Sequence, residues 1–308
     1  VLAVVDGQPE FDVGIDGVVA EFLQFVGAQL VADADASALV TTQVDDDAAP
    51  GLGDQLHRGE NTAGADVLAS MVMHVTLPDD TELTVPAHAT GRDVAETIGP
   101  GLAKAALGTV VNGALSDLMS EVPDGARVRI LTKRDDEWID LARHTLAHVM
   151  AQAVREMLVE EGHPPEAAKL AIGPVIEHGF YYDMDLPRPL SADDLPALEE
   201  RMRAIVKADL ALRTYVLPRA EALARYEAAG DPYKTELIQD LPEDEPIRFY
   251  EQGGEVGFTD LCRGPHLPST GKIPPHFKLM SLAGAYWRGD ERRPMLQRVY
   301  GVAFKTKE

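Results

Sequence analysis

The clearest alternation of apolar and polar positions along the chain begins at residue 74. His74-Val75-Thr76-Leu77 and Glu82-Leu83-Thr84-Val85 alternate with period two on either side of Pro78-Asp79-Asp80, which predicts a β-hairpin. Thr90-Gly91-Arg92-Asp93 then offers a capping box for a short helix from Val94 to Ile98, and Gly99-Pro100 stops it. A second short helix over residues 102–107, a strand at Thr109-Val110-Val111 and another over residues 127–131, after the turn Pro123-Asp124-Gly125, complete a β-grasp-like module.

The period then changes to helical. Over residues 140–161 the apolar stripe is Leu146, Val149, Met150, Ala153 and Met157, ended by Gly162-His163-Pro164. His144 and His148 stand one turn apart and off that stripe, so they are not simple core filling. Ile172-Gly173-Pro174 and Gly179-Phe180-Tyr181-Tyr182-Asp183 read as strand and turn, and a charged helix is expected over residues 193–211. Gly253-Gly254 marks a turn, and Phe258 opens the loop-like run Thr259-Asp260-Leu261-Cys262-Arg263-Gly264-Pro265-His266. The stretch from Tyr286-Trp287-Arg288 to Tyr300 alternates like closing strands. Strands and helices interleaved in this way give an α+β chain: a β-grasp-like domain followed by a two-layer α/β domain.

The segment before residue 73 has another character. It is lysine-free and rich in Asp, Ala, Gly and Val, with the knot Asp45-Asp46-Asp47, and only residues 18–31 carry a short helical pattern. Such composition is read as a disordered or non-native leader over residues 1–72, dispensable to the fold, with Met73 as the natural start. Residues 1–70 hold 13 acidic side chains and one basic one, residues 71–271 hold 35 and 19, and residues 272–308 hold 3 and 8. The net charge of −23 argues against non-specific nucleic-acid binding, whereas the basic end, from Lys272 to Lys307, is able to meet phosphates locally. One cysteine in 308 residues excludes an intramolecular disulfide, and no stretch resembles a signal peptide or a membrane span, which favours a reducing, cytoplasmic setting without a membrane partner.

The chemistry concentrates in two spacings, His144-x-x-x-His148 and Cys262-x-x-x-His266. A histidine pair at helical spacing is by itself an ordinary surface pattern. A fold that sets the second pair opposite the first makes a cluster of three imidazoles and a thiol, which binds a metal or moves protons. A zinc-protease reading fails, because Thr145 stands where His-Glu-x-x-His requires glutamate, and no phosphate-loop motif is present.

Six ordered runs carry a resemblance: Arg143-His144-Thr145-Leu146-Ala147-His148, Ile172-Gly173-Pro174, Gly179-Phe180-Tyr181-Tyr182-Asp183, Asp231-Pro232-Tyr233-Lys234, Asp260-Leu261-Cys262-Arg263-Gly264-Pro265-His266 and Gly284-Ala285-Tyr286-Trp287-Arg288-Gly289. With them the chain resembles the N-terminal half of threonyl-tRNA synthetases. The resemblance implies a TGS domain over residues 73–134, the second additional, or editing, domain over residues 135–300, and the start of a linker over residues 301–308. The class II core that uses ATP and a catalytic zinc would begin shortly after Lys307, so no activation of threonine is expected from this chain.

What the resemblance implies for function is hydrolysis of serine wrongly esterified to threonine tRNA. One methyl distinguishes the two amino acids, worth about 1–3 kcal/mol in a single binding step, so a second sieve is needed. The resemblance makes His144, His148, His266, Cys262, Asp260 and Lys234 the catalytic candidates. The imidazoles would hold water and relay protons, Asp260 would orient a histidine or the substrate amine, and Lys234 would meet developing charge or the terminal ribose. Arg263, Tyr181 and Tyr182 are the substrate-binding candidates; Trp287 joins the two tyrosines as a ring able to stack on the terminal adenine, with core packing the expected role for two of the three. Cys262 reads as nucleophile, zinc ligand or pocket wall, and branch resemblance favours a wall or water-positioning role with no cofactor required. If zinc is bound, His144, His148, Cys262 and His266 are its ligands. The partner implied is the aminoacylated 3′ end of threonine tRNA, and the complete enzyme would be a homodimer. The rival reading is a non-catalytic tRNA- or zinc-binding fragment.

Overall fold

The computed structural model describes residues 72–253 and 257–306. The leader up to residue 71, the helix expected at 18–31 and Gly254 lie outside the described residues. Val72, assigned to the leader from sequence, opens the first strand.

In the first module β1 (Val72–Thr76) and β2 (Glu82–Pro86) form the expected antiparallel hairpin, with Val75 opposite Leu83. Thr90 caps α1 (Gly91–Ile98): its hydroxyl accepts the Asp93 N–H at 3.3 Å, while the Asp93 carboxylate accepts the Thr90 N–H at 2.8 Å. Satisfying two orphan donors at once starts this helix three residues before the expected Val94. The next helix, α2 (Pro100–Ala105), begins at the proline read as a stop, since a missing N–H costs nothing in a first turn. Strand β3 (Gly108–Val111) lies between β4 (Ala114–Ser116) and β5 (Val128–Leu131). A parallel bridge from Thr76 to Arg127 ties the hairpin to that sheet, and Met73, Val75, Val85, Val94, Val122 and Val128 fill the space between.

The second module is organised around α3 (Trp138–Glu160). One apolar stripe is expected of this helix, but it is buried nearly all round, with Thr145, His148 and Gln152 among its buried residues. Its stripe packs on a sheet ordered β12-β13-β8-β6, where β6 is Lys169–Leu170, β8 is Gly179–Asp185, β12 is Phe277–Tyr286 and β13 is Met295–Ala303. Strand β7 (Val175–Ile176) pairs with β8 beyond that path. The charged helix is shorter than expected, α4 (Leu195–Lys207): the backbone leaves the helical region at Asp209, at φ 50°, and β9 (Leu212–Leu217) follows. Helices α5 (Arg219–Ala228) and α6 (Pro232–Asp240) follow. Strands β10 (Ile247–Gln252) and β11 (Phe258–Leu261) complete an antiparallel sheet ordered β11-β10-β9.

Two further differences from the sequence reading lie near the end of this module. Strand β13 runs on to Ala303, which is fully buried, so the second module extends past residue 300 into the expected linker. Trp287-Arg288-Gly289 is a tight helical turn rather than strand, with Arg288 at φ 56°. Among the described residues, no helix is long and apolar enough to cross a membrane.

Candidate functional site

Three elements bring the candidates together. Helix α3 presents His144 and His148. Strand β11 carries Asp260, so the expected loop starts as strand through Leu261 and only then turns through Cys262 to His266. Helix α6 supplies Lys234 through its local sequence: Asp231 is the N-cap, its carboxylate accepting the N–H groups of Tyr233 and Lys234 at 3.1 Å each, and Pro232 sits in the first turn.

The loop is held by its backbone. The Cys262 N–H donates to the Arg248 carbonyl at 3.1 Å, prolonging the β10–β11 ladder, and the Leu267 N–H donates to Thr145 Oγ1 at 3.0 Å. Gly264 has φ +76°, and a Cβ there would stand 2.0 Å from the Tyr250 hydroxyl, so no other residue fits.

Within this frame the protons can be assigned. His144 Nδ1 lies 3.2 Å from the Pro265 carbonyl, which only accepts, so Nδ1 carries the hydrogen and Nε2 is bare. The Thr145 hydroxyl donates to the Leu141 carbonyl at 2.7 Å, so His266 Nδ1, 3.4 Å from Thr145 Oγ1, must be the donor there, and its Nε2 is bare as well. Both bare nitrogens lie 3.3 Å from Cys262 Sγ. His148 Nε2 is 3.7 Å from Asp260 Oδ2, which places its hydrogen on that side, while its Nδ1 is buried without a hydrogen-bond partner. Two imine lone pairs therefore converge on the thiol, whose hydrogen answers one of them, and the third, on His148 Nδ1, is buried without a partner.

Burial explains the charge state. It lowers the His144 imidazole to about 4 and that of His148 to about 3, and it drives His266 well below the usual range. It also raises the Cys262 thiol to about 12, which removes the thiolate that a nucleophile needs. The Asp260 carboxyl is pushed up by burial, yet Lys234, His148 and the Tyr182 hydroxyl outweigh this and hold it below the ordinary carboxylate range. Lys234 Nζ lies 2.8 Å from Asp260 Oδ1, with both side chains almost wholly buried, and also donates to the Leu261 carbonyl at 3.2 Å. The lysine thus fixes Asp260 and does not project toward the cluster opening. That opening is on the side of His144, Cys262, Arg263 and Pro265, all half-buried, whereas His148 and His266 form the floor.

These shifts fix the direction of a pH effect. Unfolded imidazoles near 6.5 bind protons that the folded ones refuse, so the stability they contribute is complete above about pH 6.5 and is lost as pH falls toward 4. The melting temperature is expected to fall from pH 7 to pH 5, above the carboxylate range, and to fall less in His148→Gln. Equal curves for both proteins over that window would show that the histidines do not govern it.

The remaining candidates divide. Tyr182 belongs to the site, its hydroxyl donating to Asp260 Oδ2. Tyr181 does not: neighbouring residues on β8 face opposite ways, and its ring packs under the Arg298 guanidinium, 3.9 Å away, beside Tyr300. Arg263 lies at the opening, 3.1 Å from Glu245. Trp287 is core, packed with Tyr233 and Leu296 and donating its indole N–H to Glu236 at 3.1 Å. The sequence reading missed Thr145, which orients His266, and the Tyr250 ring, whose centroid is 4.4 Å from that of His266. Thr145 was legible as the one hydroxyl between the two helix histidines, whereas Tyr250 gave no signal.

The four donors of His144, His148, Cys262 and His266 lie within 4.8 Å of one another. A tetrahedral zinc with ligand distances of about 2.0–2.3 Å fits neutral imidazoles and one thiol of this kind. The same convergence equally accepts the hydrogens of a water, a hydroxyl or an ammonium group.

Comparison with known proteins gives two domain matches. Residues 73–132 match the TGS domain, and residues 247–300 match the threonyl and alanyl tRNA synthetase second additional domain. Over 237 residues, 77% of this chain, the sequence is 61% identical to a threonine–tRNA ligase of Thermus thermophilus and 52% identical to one of Deinococcus radiodurans, covering 36% of each. A threonine–tRNA ligase of Halalkalibacterium halodurans is 48% identical over 240 residues, 78% of this chain and 36% of that protein. The chain spans little more than a third of the length of the curated relatives it matches.

Proposed function

For a chain that carries a TGS domain and the second additional domain of the threonyl and alanyl tRNA synthetases, and that is similar through both to the N-terminal part of threonine–tRNA ligases, we propose a proofreading role: hydrolysis of the seryl ester of mischarged threonine tRNA. The observation that carries it is the excess of acceptors. The bare Nε2 atoms of His144 and His266 share a single thiol hydrogen in a half-open site, and the bare Nδ1 of His148 is buried without a partner.

An ester in that site brings the hydrogens the cluster lacks. The attacking water donates to an imine nitrogen as its oxygen adds to the carbonyl carbon. The bond from that carbon to the ribose oxygen then breaks, and the proton ends on the departing ribose hydroxyl, leaving serine and uncharged tRNA. His144, at the opening, is the first imidazole the water meets. At about 4 its basicity lies below the near-neutral value that suits a general base, so its part is to orient the water and pass the proton on rather than to hold it. The neighbouring ribose hydroxyl offers a second path for the same transfer. Asp260, fixed by Lys234, holds His148 in the tautomer that leaves Nδ1 bare.

In this reading the hydrolysis requires no metal. Were zinc bound, His144, His148, Cys262 and His266 would hold it, and its chemistry would be to acidify a bound water. A zinc held by all four groups would leave no open position for that water, which is the property of a structural site. The experiment is deacylation of seryl- and threonyl-tRNA by the purified chain, with and without a chelator. Loss of activity on chelation with recovery on added zinc would make the four groups ligands. Inactivity throughout would favour the binding-fragment reading.

A further inference from the structure

Asp117 belongs to the TGS domain, in the turn after β4, yet its carboxylate is buried against the other domain. Its Oδ1 accepts the main-chain N–H of His266 at 2.7 Å, 149 residues away in sequence. Its Oδ2 accepts the Tyr250 hydroxyl at 2.5 Å and the Ser120 hydroxyl at 3.2 Å. Tyr250 in turn fills the space over Gly264 and sets its ring edge-on to His266, with centroids 4.4 Å apart. One carboxylate thus fixes both the backbone of His266 and the ring that covers the turn between Cys262 and His266. Thr145 holds only the adjoining N–H of Leu267 and the far side of the His266 ring.

We propose that Asp117 is a positioning residue of the hydrolytic site, so that the TGS domain is a structural part of the site in its neighbour rather than a separate appendage. The inference rests on the proposed hydrolysis for its kinetic test only. Without Asp117 the His266 N–H and the Tyr250 hydroxyl lose their shared acceptor, and the loop is free to move His266 Nε2 away from Cys262 Sγ, now 3.3 Å apart.

Cys262, the sole cysteine of the sequence, makes a direct probe of loop position. The full chain and its variants Asp117→Ala, Asp117→Asn and Thr90→Ala are compared for iodoacetamide alkylation of Cys262 and for kcat and KM on seryl-tRNA. Asp117→Ala is expected to speed alkylation several-fold and to lower kcat about 10- to 100-fold with little change in KM, as for a small misplacement of reacting groups. Asp117→Asn keeps an acceptor for the His266 N–H and is expected to restore both readouts toward those of the unaltered chain. Thr90→Ala weakens the same domain by removing the α1 cap and is expected to change neither. Alkylation and kcat unchanged in Asp117→Ala, or shifted equally in Thr90→Ala, would overturn the proposal. Should Asp117→Ala fail to fold, Tyr250→Phe, which removes one hydroxyl, takes its place: faster alkylation supports the proposal and an unchanged rate overturns it. If the unaltered chain hydrolyses no ester, the functional reading fails, while the alkylation rates still decide the role of Asp117.

Discussion

Replacing His144 by alanine is expected to lower the hydrolysis of seryl-tRNA by about 10²–10⁴-fold, the usual worth of a positioned proton acceptor. The stability of the fold should change little. His144 sits half-buried at the opening of the site, bonded to the Pro265 carbonyl and the Cys262 thiol and stacked on the His266 ring. Its neighbour His148 is buried and next to Asp260, so substitution there mixes catalysis with stability. Circular dichroism and thermal unfolding beside the kinetics separate the two effects. If the activity of His144→Ala falls only in proportion to lost folded protein, the imidazole is structural.

Lys234→Met is expected to have the largest effect on stability. Lys234 and Asp260 form an ion pair with both side chains almost wholly buried, and removing the ammonium leaves the carboxylate uncompensated beside neutral imidazoles. Breaking such a pair costs about 3–5 kcal/mol, whereas replacing both charges is far milder. For a protein of this size that corresponds to a fall in melting temperature of roughly 6–20 °C. The double variant Lys234→Met with Asp260→Asn should regain more than half of the loss, by the logic of a double-mutant cycle. A loss of under about 1 kcal/mol in Lys234→Met, measured by denaturant unfolding, would mean that water reaches Asp260 and that the pair is not dry.

What was legible in the sequence was what is local. The hairpin of β1 and β2 follows from period two, and Thr90 announces α1 through hydrogen bonds spanning three residues. The His144–His148 and Cys262–His266 spacings named the four donors that meet in space. Longer-range features were not legible. The strand Leu212–Leu217 has no counterpart in the sequence reading, because its pairing with β10, some thirty residues on, is what makes it a strand. The adjacent rings of Tyr181 and Tyr182 looked equivalent, and strand geometry admits only Tyr182 to the site. Asp117 was invisible for the plainest reason: an aspartate in a polar turn is ordinary, and its partners at Tyr250 and His266 are 133 and 149 residues away.

Three neutral imidazoles and a thiol are proposed to form a hydrolytic sieve for serine. Packing in the cluster is close, with the His144 and His266 rings stacked at 4.1 Å and those of His148 and His266 tilted at 4.2 Å. The most direct measurement is the rate at which the purified chain deacylates seryl- and threonyl-esters of the same threonine tRNA, side by side, at saturating RNA. The expected result is faster hydrolysis of the seryl ester by about 10- to 200-fold, the discrimination one methyl allows. Equal rates for the two esters would contradict the account.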